Sequence, residues 1–167
     1  NLWDNAGLVV SDHQQNSATF RYDLKSDAHG NAIVAFQDER TGVLDIVAYA
    51  IGPDGSFLWG PDGVLLPSPG STGLSPVIAP LANGNTAIAW NTNDSPGRAA
   101  VQMVDPEGNL LLAQPNEISA PTSVGRPKLI ATDDGGFILQ YVVSNGGPGL
   151  PPGTMYAQRC DADANAV

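Results

Sequence analysis

The chain has 167 residues, the length of a single domain, and 42% of them are apolar, enough to bury a core. Its 17 Asp and Glu against 7 Lys and Arg give a net charge of −10, which disfavours nucleic acid and anionic lipid as partners. The 19 Gly and 14 Pro favour turns over long helices, and the apolar runs are too short for a membrane-spanning helix.

Metal chemistry has few possible ligands in this sequence. A single cysteine, Cys160, excludes an internal disulfide and a cysteine-rich zinc site. The two histidines, His13 and His29, leave little room for a histidine-based metal site. We therefore expect no cofactor, apart from the calcium candidate described below.

An internal repeat is the strongest pattern in the sequence. Residues 29–36, 83–90 and 134–141 each consist of a turn followed by an apolar run that closes on an aromatic residue. A second pattern recurs at 46–55, 99–108 and 155–164, and a third at 2–10, 58–66 and 111–118. The copies are separated by roughly 50 residues, so one supersecondary unit occurs three times.

In chain order, each unit predicts four short strands, A to D. Strand A covers 22–25, 77–80 and 128–131. Strand B ends at Phe36, Trp90 or Tyr141, and strand C is centred on Val47, Val101 or Ala157. Strand D carries Trp3, Trp59 or Leu112. The predicted organisation is strand D of a preceding blade at 1–10, then blades at 20–66, 75–119 and 126–167, the last without its final strand.

Strand B is apolar on both faces, because Ala32, Val34 and Phe36 alternate with Ile33 and Ala35. A strand buried on both faces lies between two other layers. We therefore predict an all-β fold of three four-stranded antiparallel β-propeller-type blades, with a β-sandwich as the alternative. Propellers have about 4–8 blades, so three would form part of a larger propeller or half of a homodimeric ring. The first strand is suited to complete the last blade.

Two stretches carry a resemblance to a known repeat. They are Asp38-Glu39-Arg40-Thr41-Gly42 with Asp45-Ile46-Val47, and Tyr156-Ala157-Gln158-Arg159 with Asp161 and Asp163. Together with Gly55, Trp59 and Gly63 they resemble the propeller-type repeats of large secreted or cell-surface bacterial proteins, W-x-D-x-R-x-G-x-x-D-I-Y-A-Q-R-x-D-x-D-G-x-x-x-W. No copy is complete. The first has Phe36 in place of the first Trp, the second keeps Trp90 but lacks the D-x-R-x-G turn, and the third keeps Tyr-Ala-Gln-Arg. The resemblance implies a secreted or surface location and supplies no catalytic residue.

One acidic turn has the alternating oxygen ligands with which calcium loops begin, at Asp161, Asp163 and Asn165. The matching residues 52–56 and 105–109 fit plain hairpin turns. A calcium loop also needs ligands beyond this start.

The predicted binding face lies where loop lengths differ between the copies. These are the B–C loops (37–44, 91–97, 142–154) and the D–A connections (11–19, 67–75, 119–126), which emerge on the same sheet edge. Variable loops on a rigid scaffold often carry binding. The predicted ligand-binding residues are Asp38, Arg40, Asp45, Asn91, Asn93, Asp94 and Arg98, with Asn145 and His13 at the margins. Asp38, Arg40 and Asp45 can equally form a structural ion-pair cluster.

These features favour a non-catalytic binding or scaffold module of a secreted or surface bacterial protein, engaging glycan or protein. The alternatives are a glycan-active propeller enzyme and a purely structural repeat. A glycosidase would place two or three carboxylates about 5–10 Å apart around a central pocket. Strand A, which lines the centre, supplies only Asp23.

Overall fold

The computed structural model describes residues 6–13, 21–68, 72–146 and 152–167. Within these ranges the chain is built from strands and turns, and no helix is long and apolar enough to span a membrane. The strands are β1 (Tyr22–Ser26), β2 (Ala32–Asp38), β3 (Asp45–Ile51), β4 (Val64–Leu66), β5 (Gly73–Pro80), β6 (Thr86–Thr92), β7 (Ala99–Val104), β8 (Asn116–Ile118), β9 (Val124–Ala131), β10 (Phe137–Ser144) and β11 (Gly153–Cys160).

The strands form three antiparallel sheets, which we call blades one, two and three. Their strand orders are β1-β2-β3-β4, β5-β6-β7-β8 and β9-β10-β11. The first strands of the blades lie side by side, since β5 packs against both β1 and β9. The all-β, antiparallel prediction is confirmed. Three sheets meeting along their first strands form a β-propeller-like arrangement that does not close, and they do not form the two stacked sheets of a sandwich.

The core explains why strand B is apolar on both faces. Ile33 and Ala35 pack into a cluster that includes Ile78 and Trp90 of blade two. Phe36, on the opposite face of the same strand, packs beside Tyr49, with the two rings stacked 5.7 Å apart. A second cluster joins blades two and three in the same way. The blades are therefore held together by continuous apolar layers.

Strand D differs from its prediction. Trp59 and Leu112 precede β4 and β8 instead of lying in them. Residues 6–10 form no strand, and Leu8 and Val10 pack against the Phe36 and Tyr49 side of blade one. Because these apolar side chains pack against blade one, residues 6–10 do not supply the fourth strand of blade three. Residues 1–5, including Trp3, lie outside the described residues.

The A–B and C–D connections all have one hairpin geometry. In each five-residue turn, the first residue donates its N–H to the carbonyl of the fifth residue. The fourth residue donates its N–H to the carbonyl of the first. The fourth residue has a positive φ, as in hairpins that combine a type I turn with a left-handed residue. The six fourth residues are Gly30, Gly55, Gly84, Gly108, Gly135 and Ala164. These turns set the register that the repeat requires.

Replacing Gly135 by alanine should lower the free energy of unfolding by about 1–2 kcal/mol. Its φ is +87°, and a Cβ there would meet nothing within 4 Å, so the cost is purely conformational. Gly97→Ala is the matched control, because that glycine has no positive φ and its nearest neighbours would lie at 3.5 Å. Urea denaturation measures both, and equal stability of the two variants would contradict the prediction.

Candidate ligand-binding face

A cavity of about 750 Å³ opens where the inner strands of the three blades begin. Its walls are residues 21–23 at the start of β1, the third to fifth residues of β5 and β9 (75–77 and 126–128), and Asn91 near the end of β6. We call it the axial cavity. It lies at the edge of the sheets from which the B–C and D–A connections emerge.

Backbone bulges shape two of the three walls. The pairing register shifts at Ser75-Pro76 in β5 and at Arg126-Pro127 in β9. Ser75 and Arg126 have φ values of 54° and 55°, a left-handed conformation that is uncommon for residues other than glycine. The side-chain carbonyl of Asn91 accepts the Arg126 backbone N–H at 2.8 Å. Asn91 thereby holds the bulge that positions Arg126 at the cavity.

Three cationic residues lie in the lining of the axial cavity. Arg21, Arg126 and Lys128 line it, and no ion pair to any of them occurs within the described ranges. Asp23 is the carboxylate of the lining. One Asp23 oxygen accepts the Ile78 N–H at 2.9 Å, and the other accepts the Lys25 ammonium at 3.1 Å. Asp23 therefore joins the inner strands of blades one and two.

A second cavity, of about 790 Å³, lies between blades two and three at the same edge. We call it the rim cavity. It is lined by the B–C loops of both blades and by the connection 121–126 between them. Arg126 lines both cavities, so the two spaces adjoin. This edge therefore offers a concave surface that runs from the axis outward.

Two of the predicted binding residues, Asp38 and Arg40, form a buried ion pair. Asp38 is fully buried, and its two oxygens accept hydrogen bonds from the Arg40 guanidinium at 2.7–3.1 Å. Arg40 also donates to the Tyr49 hydroxyl at 2.9 Å and to the Asp62 carbonyl. Burial acts to lower the pKa of Arg40, but the bonds to Asp38 and Tyr49 outweigh it and raise that pKa. This geometry fixes the loop between β2 and β3.

Asp45 and His13 lie near this pair on blade one. Asp45 is buried and accepts a hydrogen bond from the Thr41 hydroxyl. The His13 Nε2 is 3.8 Å from a carboxylate oxygen of Asp62. Both contacts are internal to the protein.

The blade-two residues form a separate cluster around Arg98. Its guanidinium donates to Asp94 and Glu117, and the Asp94 bond lowers the pKa of Asp94 and raises that of Arg98. Asn93 is exposed and donates its backbone N–H to the Thr72 carbonyl at 3.0 Å.

Asn145, on blade three, has its side-chain oxygen 3.4 Å from the Thr154 hydroxyl. The predicted binding residues thus lie on all three blades and do not converge on one site, and of them Asn91 alone lines one of the two cavities just described. Ligand contact by the others stays a prediction. Sequence reasoning missed Arg21, Arg126 and Lys128. Cations occur near the start of predicted strand A in two of the three copies, but nothing in the sequence shows that these side chains meet at one cavity.

The calcium candidate is a turn in which both carboxylate oxygens of Asp161 accept hydrogen bonds from residues of the same turn. One oxygen of Asp161 accepts the N–H groups of Asp163 and Asn165 at 3.0 and 2.8 Å, and the other accepts the Asn165 side-chain amide at 3.1 Å. Asp105 and Asn109 make the same bonds in blade two. The described ranges contain no group of three or more His, Cys, Asp or Glu placed to hold a metal. The acidic spacing therefore has a structural explanation in the hairpin.

No protein-family model matches the sequence, and no curated protein matches it. Solved structures do match its fold. An α-L-arabinanase of Penicillium chrysogenum, complexed with arabinobiose, is 18% identical over 93% of this chain and 52% of its own, with a TM-score of 0.61.

Two further structures match with a TM-score of 0.55 each. A thermostable family-43 glycoside hydrolase is 14% identical over 87% of this chain and 56% of its own. An endo-arabinase of Bacteroides thetaiotaomicron is 16% identical over 90% and 59%. The chain thus spans between half and three-fifths of the length of these proteins, and what it shares with them is a β-propeller-like fold related to that of glycosidases.

Proposed function

We propose that this chain is a non-catalytic glycan-binding module, belonging to a secreted or cell-surface bacterial protein, whose binding surface is the axial cavity and the adjoining rim cavity. The observation that carries the proposal is the lining of the axial cavity. It combines guanidinium, ammonium and amide donors with a single carboxylate that is already bonded within the protein. Concave sites with a few convergent polar groups are the usual form of small-ligand sites.

The chemistry of the lining suits a saccharide. Hydroxyl-rich ligands are recognised by side-chain donors and acceptors, which Arg21, Asn91 and Lys128 supply. Tyr22 adds an aromatic ring that is 65% exposed at the same cavity, and such a ring can cover the apolar face of a sugar. The fold likeness to an arabinanase that was solved with a disaccharide adds support.

That likeness also favours a second candidate, a glycan-active enzyme. Hydrolysis of a glycosidic bond needs two carboxyl groups flanking it. In the described lining, Asp23 is the sole carboxylate, and its contacts with Ile78 and Lys25 tie it to the fold. We therefore rank binding above catalysis.

Affinity electrophoresis and calorimetry with a panel of soluble polysaccharides, including arabinan and polygalacturonate, test the proposal. We expect retardation by at least one polysaccharide, without release of reducing ends in a parallel assay. Tyr22→Ala should weaken that binding about tenfold, while Tyr156→Ala, an exposed tyrosine on β11 that lines neither cavity, should not.

Absence of binding to every polysaccharide would overturn the proposal. Release of reducing ends that Asp23→Asn abolishes would favour the enzyme instead.

A further inference from the structure

We propose that the axial cavity selects an anionic glycan, one whose carboxylate or sulfate group binds between Arg21, Arg126 and Lys128. This inference rests on the proposed glycan-binding function and names its ligand class. It begins with the distribution of positive charge in an acidic protein.

Four of the seven basic residues are neutralised by ion pairs. Arg40 pairs with Asp38, Arg98 with Asp94, Arg159 with Asp134, and Lys25 with Asp23. The remaining three, Arg21, Arg126 and Lys128, have no such partner in the described part of the chain, and all three line one cavity. The Lys and Arg charge that has no ion pair within the described ranges is therefore gathered at the axial cavity.

Gathering these charges has an electrostatic consequence. Like charges gathered around a concave surface raise the local potential and attract a counter-ion. The single carboxylate there does not cancel them, because Asp23 already accepts the Lys25 ammonium and the Ile78 N–H. Guanidinium groups bind carboxylate and sulfate oxygens through paired hydrogen bonds, so the lining matches an anionic ligand in chemistry as well as in sign.

The cations on β9 also have a fixed backbone. Arg126 adopts its positive φ within the bulge, and the Asn91 side chain accepts its N–H. Lys128 follows two residues later and lines the same cavity. Placement on a strand, and not on a free loop, means that less conformational entropy is lost when an anion binds.

Calorimetry with three classes of polysaccharide tests the inference: polygalacturonate for carboxylate, dextran sulfate for sulfate, and arabinan and dextran as neutral probes. We expect an anionic probe to bind about tenfold or more tightly than the neutral ones, with affinity falling as salt rises. Arg126→Gln and Lys128→Gln should each lower anionic affinity about tenfold, a loss typical of one charge-assisted contact.

Arg159→Gln is the matched control, because it removes the same charge from β11 outside the cavities. Circular dichroism and denaturation establish that each variant is folded, and Lys128→Arg should retain binding. Preference for polygalacturonate assigns the ligand to carboxylates, and preference for dextran sulfate assigns it to sulfates.

Neutral and anionic probes binding equally, or Arg159→Gln losing as much as Arg126→Gln, would overturn the inference. A neutral probe that binds more tightly than both anionic probes would do so while leaving the proposed function intact. Absence of binding to any polysaccharide would remove both.

Discussion

Replacing Trp59 by alanine should lower the free energy of unfolding by about 3–5 kcal/mol, the cost of truncating a large core aromatic. Trp59 is 7% exposed and packs between blade one and the C–D turn of blade two. Its indole N–H donates to the Pro106 carbonyl at 3.2 Å, and a Cβ at Gly108 would lie 3.1 Å from its ring. The substitution would open a cavity at the joint between two sheets.

Guanidinium denaturation followed by circular dichroism measures the effect. Trp59→Phe should retain most of the packing and lose about 1 kcal/mol with the hydrogen bond. Leu58→Ala, at an adjacent residue that is 43% exposed, should change stability by less than about 1 kcal/mol. A Trp59→Ala protein as stable as Leu58→Ala would show that the blades do not depend on this contact.

Replacing Asp38 by alanine should cost a similar amount, about 3–5 kcal/mol, because it leaves a buried cation without its partner. Asp38 is fully buried, and the side chain of Arg40 is only 11% exposed. The pair also anchors Tyr49, whose hydroxyl accepts from the same guanidinium.

Asp94→Ala is the matched control in blade two. Its partner Arg98 is 29% exposed and keeps a second carboxylate in Glu117, so loss of this partly exposed pair should cost no more than about 1 kcal/mol. Thermal and chemical denaturation, combined with glycan binding, separate the two interpretations of Asp38. A variant that unfolds more easily yet binds normally indicates a structural pair. Unchanged stability with lost binding would indicate a ligand contact instead.

The alternation along strand B and the turn chemistry predicted most of the fold. Ile33 and Phe36 lie on opposite faces of β2, in different apolar clusters, as their spacing requires. The prediction that Trp59 lies in strand D was wrong. The local sequence Leu58-Trp59-Gly60 does not show that Trp59 instead packs against Pro106, some 50 residues further along the chain. The contact with Pro106 is tertiary and has no local signature.

The axial cavity was harder to predict for a backbone reason. A residue before proline normally favours an extended conformation, which would have continued β9 without interruption. Arg126 instead takes a left-handed φ in a bulge, and the Asn91 side chain stabilises it from another sheet. The sequence of residues 124–131 predicts neither the bulge nor the hydrogen bond from the Arg126 N–H to Asn91. The convergence of cations at one cavity therefore follows only from the three-dimensional structure.

Each sheet is a meander of strands that are consecutive in the chain. Pairing within a blade therefore closes only short loops, at a small entropic cost, whereas contacts such as Trp59 with Pro106 or Asp23 with Ile78 join distant segments. Because near contacts form faster than distant ones, sheet formation should precede the docking of one blade on the next. The axial cavity, which needs all three inner strands, would then be among the last features to assemble.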